Sequence, residues 1–212
     1  MSAQVFIERI VDDRRRDGAS EVLQIVWVTG GTAAEREALG RSAEAAAPAP
    51  PDGPVGGDAF GAAPGSARHE DEALLVEWSP GWARVSSPVD RTVEVRAALA
   101  DFARQEGALR ELEAALPGCE AGAEADVARA YGIRFRDRRH WRGWQERIEA
   151  CTRLRLALVR LRPGLERAAP GLPPAGRQLA ARLRRQARVA DRLEWFSERL
   201  EAMEDLYEGA HD

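Results

Sequence analysis

The strongest constraint on this chain is a run of apolar residues at alternating three- and four-residue spacing between Arg177 and Gly209. Leu179, Leu183, Ala190, Leu193, Phe196 (or Ser197), Leu200, Met203 and Tyr207 fall on one stripe. Such spacing gives a helix with one side that must be covered. At 1.5 Å per residue, about 33 residues span roughly 50 Å. The pattern predicts one long amphipathic helix, a coiled-coil or long-bundle element. A stripe of that length is more than two shorter neighbours can cover, so a partner helix or another copy of the chain is expected on the rest. Trp195 beside Phe196 widens the apolar face. Trp195, Phe196, Leu200, Met203 and Tyr207 are therefore the expected partner-binding residues.

Two further helices precede it. Ser87 followed by Pro88 is a hydroxyl cap with proline at the first helical position, and Val95, Leu99, Phe102, Leu109, Leu112 and Leu116 continue as a stripe up to Pro117-Gly118, which is expected to stop the helix. Glu124 to Tyr131 reads as a short helix. A third runs from about Asp137 to Arg162 with Trp144, Ile148, Cys151, Leu154, Leu158 and Leu161 on one side, ended by Pro163-Gly164. These helices suggest a three-helix antiparallel bundle or a long helical hairpin over 87–212.

The front of the chain reads differently. Val5 to Val11 and Val22 to Val28 are rich in β-branched residues and predict a hairpin. The second strand is apolar on both faces, the mark of a strand internal to a covered sheet. Ala73 to Trp78 and Trp82 to Ser86 form a second hairpin around Ser79-Pro80-Gly81. Two hairpins predict one small antiparallel sheet over 1–86. Between them, Thr32 with Glu35 matches a capping box that opens a short helix to about Ala46. Ala47 to Arg68, poor in large side chains and rich in Pro, Gly and Ala, reads as a disordered loop. The expected fold class is α+β, a small sheet followed by a helical domain.

All 31 basic residues are Arg. With abundant Ala, Gly and Pro, this reads as the composition bias of a GC-rich bacterial genome. A formal net charge of −4 argues against a chain-wide attraction to nucleic acid or a membrane surface. The charge is uneven: net −10 over 1–133, +7 over 134–167 and −1 over 168–212. The basic part begins with Arg134-Phe135-Arg136-Asp137-Arg138-Arg139-His140-Trp141-Arg142-Gly143-Trp144. Arg interleaved with aromatics neutralises phosphates and stacks on bases, so Arg136, Arg138, Arg139 and Arg142 are the candidate nucleic-acid contacts. The competing reading makes Phe135, Trp141 and Trp144 core anchors and sets the Arg residues against the acidic front of the chain.

No catalytic constellation stands out. Gly30-Gly31-Thr32 follows a strand and precedes a helix, where backbone amides cradle phosphates. It lacks the Lys of a Walker loop and the third glycine of a dinucleotide fingerprint, and reads as a tight turn with a cap. His69, His140 and His211 stand alone, with no helical pair for zinc. Cys119 and Cys151 have no ligand spacing and are too few for a disulfide framework; Cys151 reads as core. No serine sits in a nucleophile elbow. No cofactor, metal or catalytic residue is expected. No apolar window of about 18 residues spans a bilayer, and the N-terminal residues lack a signal-peptide pattern, which reads as cytoplasmic.

The segment Arg192-Leu193-Glu194-Trp195-Phe196-Ser197-Glu198-Arg199-Leu200-Glu201-Ala202-Met203-Glu204-Asp205-Leu206-Tyr207 resembles the end of the soluble part of the sporulation-RMD/YagE-like family of membrane-anchored proteins. There a similar helix leads into a C-terminal membrane span. The long helix that feeds the membrane segment of CorA-type magnesium channels is similar as well. Here the sequence stops at Asp212 without such a span, and no functional residue is carried over. The expected function is that of a non-enzymatic helical interaction protein, a scaffold or accessory subunit working through its last helix. The alternative is a nucleic-acid-binding accessory subunit using 134–144. A hydrolase or nucleotide-binding protein built on Gly30-Gly31-Thr32 ranks below both.

Overall fold

The computed structural model of the protein describes residues 4–12, 20–30, 67–71, 74–130 and 138–209, with Thr32, Ala34, Arg36 and Leu39 among the rest. The fold is α+β, a sheet followed by helices. Strands β1 (Gln4–Asp12), β2 (Ser20–Thr29), β3 (Ala67–Asp71), β4 (Leu74–Ser79) and β5 (Trp82–Ser87) form one sheet in the order β1-β2-β5-β4-β3. Helices α1 (Thr92–Ala130), α2 (Arg138–Glu166), α3 (Pro174–Gln186) and α4 (Val189–Gly209) follow.

Both expected hairpins form, β1 with β2 and β4 with β5, each antiparallel. They join differently from an all-antiparallel sheet: β2 pairs β5 in parallel, Gln24 opposite Trp82 through Thr29 opposite Ser87. The physical reason is the length of chain between them. A parallel pair needs a crossover of a dozen residues or more, and the stretch from Gly30 to Gly81 supplies it. Pro80 followed by Gly81 at φ +76 suits a type II turn, which needs a positive φ at its third residue. The strand β3 was not expected, because Ala-Arg-His-Glu-Asp has no strand-like composition. It pairs at the outer side of β4, an edge position where polar residues belong. It takes in Ala67 and Arg68, the end of the expected loop; the remainder of that loop, the Glu35 half of the capping box and most of the short helix after Thr32 lie outside the described residues.

The chain divides into two compact units, one of Met1–Gly107 with Arg167–Val189, the other of Ala108–Glu166 with Ala190–Asp212. The expected division into 1–86 and 87–212 follows the change from strands to helices; compactness divides the chain elsewhere, and both units draw on two separate stretches.

In the first unit, pairing aligns two rows on one sheet face: Phe6, Trp27, Val85 and Val76, then Glu8, Ile25, Ala83 and Trp78. The first turns of α1 lie on this face with Val95, Ala98, Leu99, Phe102 and Ala103 buried, a three-and-one spacing that follows the helical period. Phe102 meets Trp78 edge-on at 4.8 Å between ring centroids. The Arg96 guanidinium pairs with Glu8. Ser87 Oγ donates to the Pro88 carbonyl at 2.7 Å instead of capping α1, and Val89–Arg91 form a turn of 3-10 helix before it. The helix α3 starts at Pro174 and packs through Gly176, Leu179, Ala180 and Leu183; a Cβ on Gly176 would sit 3.5 Å from the Glu94 carbonyl oxygen. Arg184 is buried too. It donates to Gln105 at 3.0 Å and to the Arg167 carbonyl at 3.2 Å, with Asp101 at 3.5 Å. Burial lowers its pKa, and Asp101 opposes the shift.

In the second unit, α1 from Ala108 onward packs with α2 and α4. The Pro117-Gly118 pair does not stop α1. Proline inside a helix removes one backbone bond and costs about 3 kcal/mol, but both residues are exposed here while Leu109, Leu116 and Ala123 stay buried on one side. The packing of that side outweighs the loss, and the expected short helix from Glu124 belongs, as far as Ala130, to the same helix; Tyr131 lies outside the described residues. Likewise α2 runs past Pro163 to Glu166, which lets Leu165 be buried. Contacts set directions. Arg192 pairs Glu113, Arg199 pairs Glu120, and Tyr207 meets Asp126, so α1 and α4 run parallel. Asp126 pairs Arg147, Arg155 pairs Glu204 and Trp144 meets Tyr207, so α2 is antiparallel to both.

The expected single helix from Arg177 to Gly209 is two helices. Arg188 adopts φ 51, in the left-handed region, and the amides of Ala187 and Arg188 bond back to Leu183 and Arg185. The burial pattern explains why. The side that buries Leu179, Leu183 and Ala187 does not continue to Ala190, which is exposed; Val189 is buried instead, and from it the spacing to Leu193, Phe196, Leu200, Met203 and Tyr207 alternates four and three. An interruption at 187–188 lets both stripes be covered, and its cost is one left-handed non-glycine residue, about 1–2 kcal/mol.

Candidate functional site

The expected partner-binding residues point inward. Phe196 and Leu200 are fully buried, and Met203 and Tyr207 nearly so, in the interior of the second unit. This corrects the expectation that their stripe outruns its neighbours: the break at Arg188 shortens the helix to 21 residues, and its stripe is buried within the chain. Trp195 alone is half-buried. The Arg199 guanidinium lies 5.3 Å from its ring centroid and also pairs with Glu120 at 3.2 Å.

The basic segment is only partly described. Arg136 lies outside the described residues, and the side chains of Arg138 and Arg139 do as well, although their backbone opens α2. Arg142 is exposed and 3.4 Å from Glu146, one turn on. Trp144 is half-buried against Tyr207, ring centroids 5.6 Å apart, as the core-anchor reading of this aromatic expects. At the glycine turn, Gly30 has φ 76, Gly31 is outside the described residues, and the Arg36 side chain donates to the Gly30 carbonyl at 3.3 Å. Thr32 accepts the Arg36 amide at 3.0 Å through its carbonyl, an ordinary first helical bond.

Inside the second unit lies a polar cluster that sequence spacing does not reveal. Asp126, 2% exposed, accepts both Nε and Nη2 of Arg147 and the Tyr207 hydroxyl at 3.3 Å. Gly122 makes room for Arg147; a Cβ there would come within 2.8 Å of Arg147 Cδ. Burial, then the Asp126 charge, pushes the Tyr207 phenol up to about 12. Burial, then the neighbouring Cys119 thiol, pushes Cys151 up to about 11. Both groups are thus protonated near neutrality, and the carboxylate is held by a guanidinium. This is the chemistry of a satisfied interior network, not of an acid–base pair poised near working pH. Among the described residues no cluster of three or more His, Cys, Asp or Glu side chains is arranged to hold a metal ion.

The surface feature that stands out is β1. It is an edge strand of nine residues, and Val5, Phe6 and Ile7 are exposed at 40%, 43% and 55%. Phe6 stacks on Trp27 at 5.9 Å, which fixes its ring. Glu8, which ought to repel a negative neighbour, accepts the Trp27 indole N–H at 3.0 Å and pairs with Arg96, so its charge is neutralised within the unit. Other exposed apolar side chains come in pairs on helices, Val89 with Val93 and Leu156 with Val159, where the backbone is already bonded. Only at β1, among the described residues, do exposed apolar side chains coincide with a free backbone edge, the arrangement that proteins normally blunt with charge, proline or a bulge. A register shift does occur in β1, but between Ile10 and Val11, beyond the apolar trio. The sequence held the signal in Val5, Phe6 and Ile7; what it could not give was the position of β1 at the end of the sheet order.

Among the described residues no helix is long and apolar enough to cross a membrane. No family model matches the chain, no curated protein matches it and no solved structure matches it, so its function must be read from its own residues.

Proposed function

We propose that this protein is a non-enzymatic interaction protein, a scaffold or accessory subunit, and that it acts through β1 instead of through its last helix. The observation that carries the reading is the coincidence of a strand edge that is free among the described residues with exposed Val5, Phe6 and Ile7. Main-chain bonds along an edge supply affinity and alternate side chains supply selectivity. The occupant that fits is a second copy. A two-fold axis through Phe6 sets Phe6 against Phe6 and Val5 against Ile7 of the second copy, so each exposed apolar residue meets another. Cross-strand apolar and aromatic pairs contribute about 0.2–1 kcal/mol each, and the two sheets become one continuous sheet with the closed symmetry typical of homodimers.

Sedimentation equilibrium over a concentration series tests this. The parent chain is expected to dimerise, and Ile7→Lys, which places like charges at the edge without disturbing the core, is expected to remain monomeric with the parent's melting temperature. A parent that stays monomeric throughout, or a variant that dimerises equally well, overturns the assignment.

A further inference from the structure

Within the second unit, α1 and α2 are antiparallel, and two contacts fix their register: Gly122 against Arg147, and Asp126 paired with Arg147. One turn away, three residues back along α1 from Gly122 and four forward along α2 from Arg147, lie Cys119 and Cys151. Steps of three on one helix and four on the other keep both residues on the contacting sides. The two side chains are within hydrogen-bonding reach of each other, and both are free thiols. Pairing of such residues requires a Cα separation within the range disulfides accept, and neighbouring positions on the contacting sides of two packed helices meet at the closest separation the pair offers.

We propose that Cys119 and Cys151 are a reversible oxidation site, forming an intrachain disulfide between α1 and α2 when a peroxide reaches Cys119. The two thiols are unequal, which assigns the roles. Cys119 is half-buried and reachable from solvent, whereas Cys151 is 2% exposed. Cys119 Sγ attacks one peroxide oxygen, the O–O bond breaks, and water leaves with a sulfenic acid on Cys119. Cys151 Sγ then attacks Cys119 Sγ, the S–O bond breaks, and a second water leaves carrying the Cys151 proton. Two thiols lose two electrons and two protons, and hydrogen peroxide becomes two waters. Cys151 is shielded from oxidants in solution, so its sulfur meets only the sulfenic acid beside it; because its thiol is raised to about 11, this resolving step is the slower one near neutrality and quickens as pH rises. The oxidised state ties together the two helices that hold Asp126 and Arg147. This property is separate from pairing at β1 and does not depend on it.

The test is stoichiometric hydrogen peroxide on the reduced full chain, read by intact mass, free-thiol count and peptide mapping. The expected product is two hydrogens lighter, has no free thiol, joins the peptides of Cys119 and Cys151, and returns to the starting mass with dithiothreitol. Cys151→Ser should stop at a sulfenic acid on Cys119 that dimedone captures, and Cys119→Ser should leave Cys151 unreacted under the same dose. If the parent gains oxygen on Cys119 while Cys151 stays free, or joins only between chains, the assignment is wrong. The parent measurement stands whether or not either serine variant folds.

Discussion

Replacing Asp126 by Asn probes the interior network with minimal change of shape. The amide keeps the volume and can still bond Tyr207, but it leaves the Arg147 guanidinium without its counter-charge. Removing one member of a fully buried pair costs about 3–5 kcal/mol. Here Asp126 is buried but the Arg147 side chain is 30% exposed, so water replaces part of the lost interaction. The expected cost is therefore about 2–3 kcal/mol. For a chain of this size that corresponds to a drop of roughly 5–10 °C in melting temperature, read by far-UV circular dichroism. A second readout separates charge from packing. The Asp126 charge is the second contribution, after burial, to the raised Tyr207 pKa, and Arg147 acts in the opposite sense. Loss of the carboxylate must bring the phenol down from about 12 towards its ordinary range. The chain has two tyrosines, so the titration is followed by phenolate absorbance in a Tyr131→Phe background. A variant that melts like its parent, with Tyr207 titrating as before, would show that the carboxylate does not organise this interior.

Two further outcomes follow from burial. Leu193→Ala, at a side chain 4% exposed, should cost about 2–5 kcal/mol, whereas Trp195→Ala, at a half-buried ring beside Arg199, should cost less; equal melting of the two variants contradicts the packing of α4. Alkali should unfold the chain early. Cys151 and Tyr207 have folded pKa values near 11 and 12 against ordinary values of 9.0 and 10.0, so the unfolded chain releases these protons first. Their contribution is complete below pH 9, declines as pH rises and is gone above about 12. Denaturant titrations across that window should show stability falling, with Tyr207→Phe flattening the upper part.

Much of the sheet was legible because its signals are local. β-Branched runs marked β1 and β2, Pro80-Gly81 marked the β4–β5 turn, and a strand apolar on both faces announced that β2 is internal, as Leu23, Ile25, Val26, Trp27 and Val28 are. The helix stripes of α1 and α2 were legible for the same reason. What failed was punctuation. Pro117 and Gly118 are strong stop signals, yet burial of residues on either side carries α1 through them. Gln186-Ala187-Arg188-Val189 contains no breaker, yet the chain breaks there because two stripes one residue out of phase cannot lie on one straight helix. Polar β3 gave no sign of being a strand. The candidate surfaces were harder still. Periodicity says that the side of α4 bearing Phe196 and Leu200 must be covered, but not whether the cover belongs to the same chain. Nor does any spacing rule link Cys119 to Cys151, or Asp126 to Arg147, since these pairs exist only through the antiparallel register of two helices.

The interleaving of the two units bears on how the protein is made. The sheet and the first turns of α1 leave the ribosome early, but the piece that completes their unit, Arg167–Val189, follows only after the stretch Ala108–Glu166. At bacterial or eukaryotic elongation speeds of about 5–20 residues per second, the wait is roughly 3–12 s. Throughout it the contacts that Gly176, Leu179, Ala180 and Leu183 will make are missing from the nascent chain. Dissection meets the same obstacle. A single cut anywhere between Gly107 and Arg167 separates the two stretches of the first unit, so recombinant halves of this protein are expected to need each other before that unit closes.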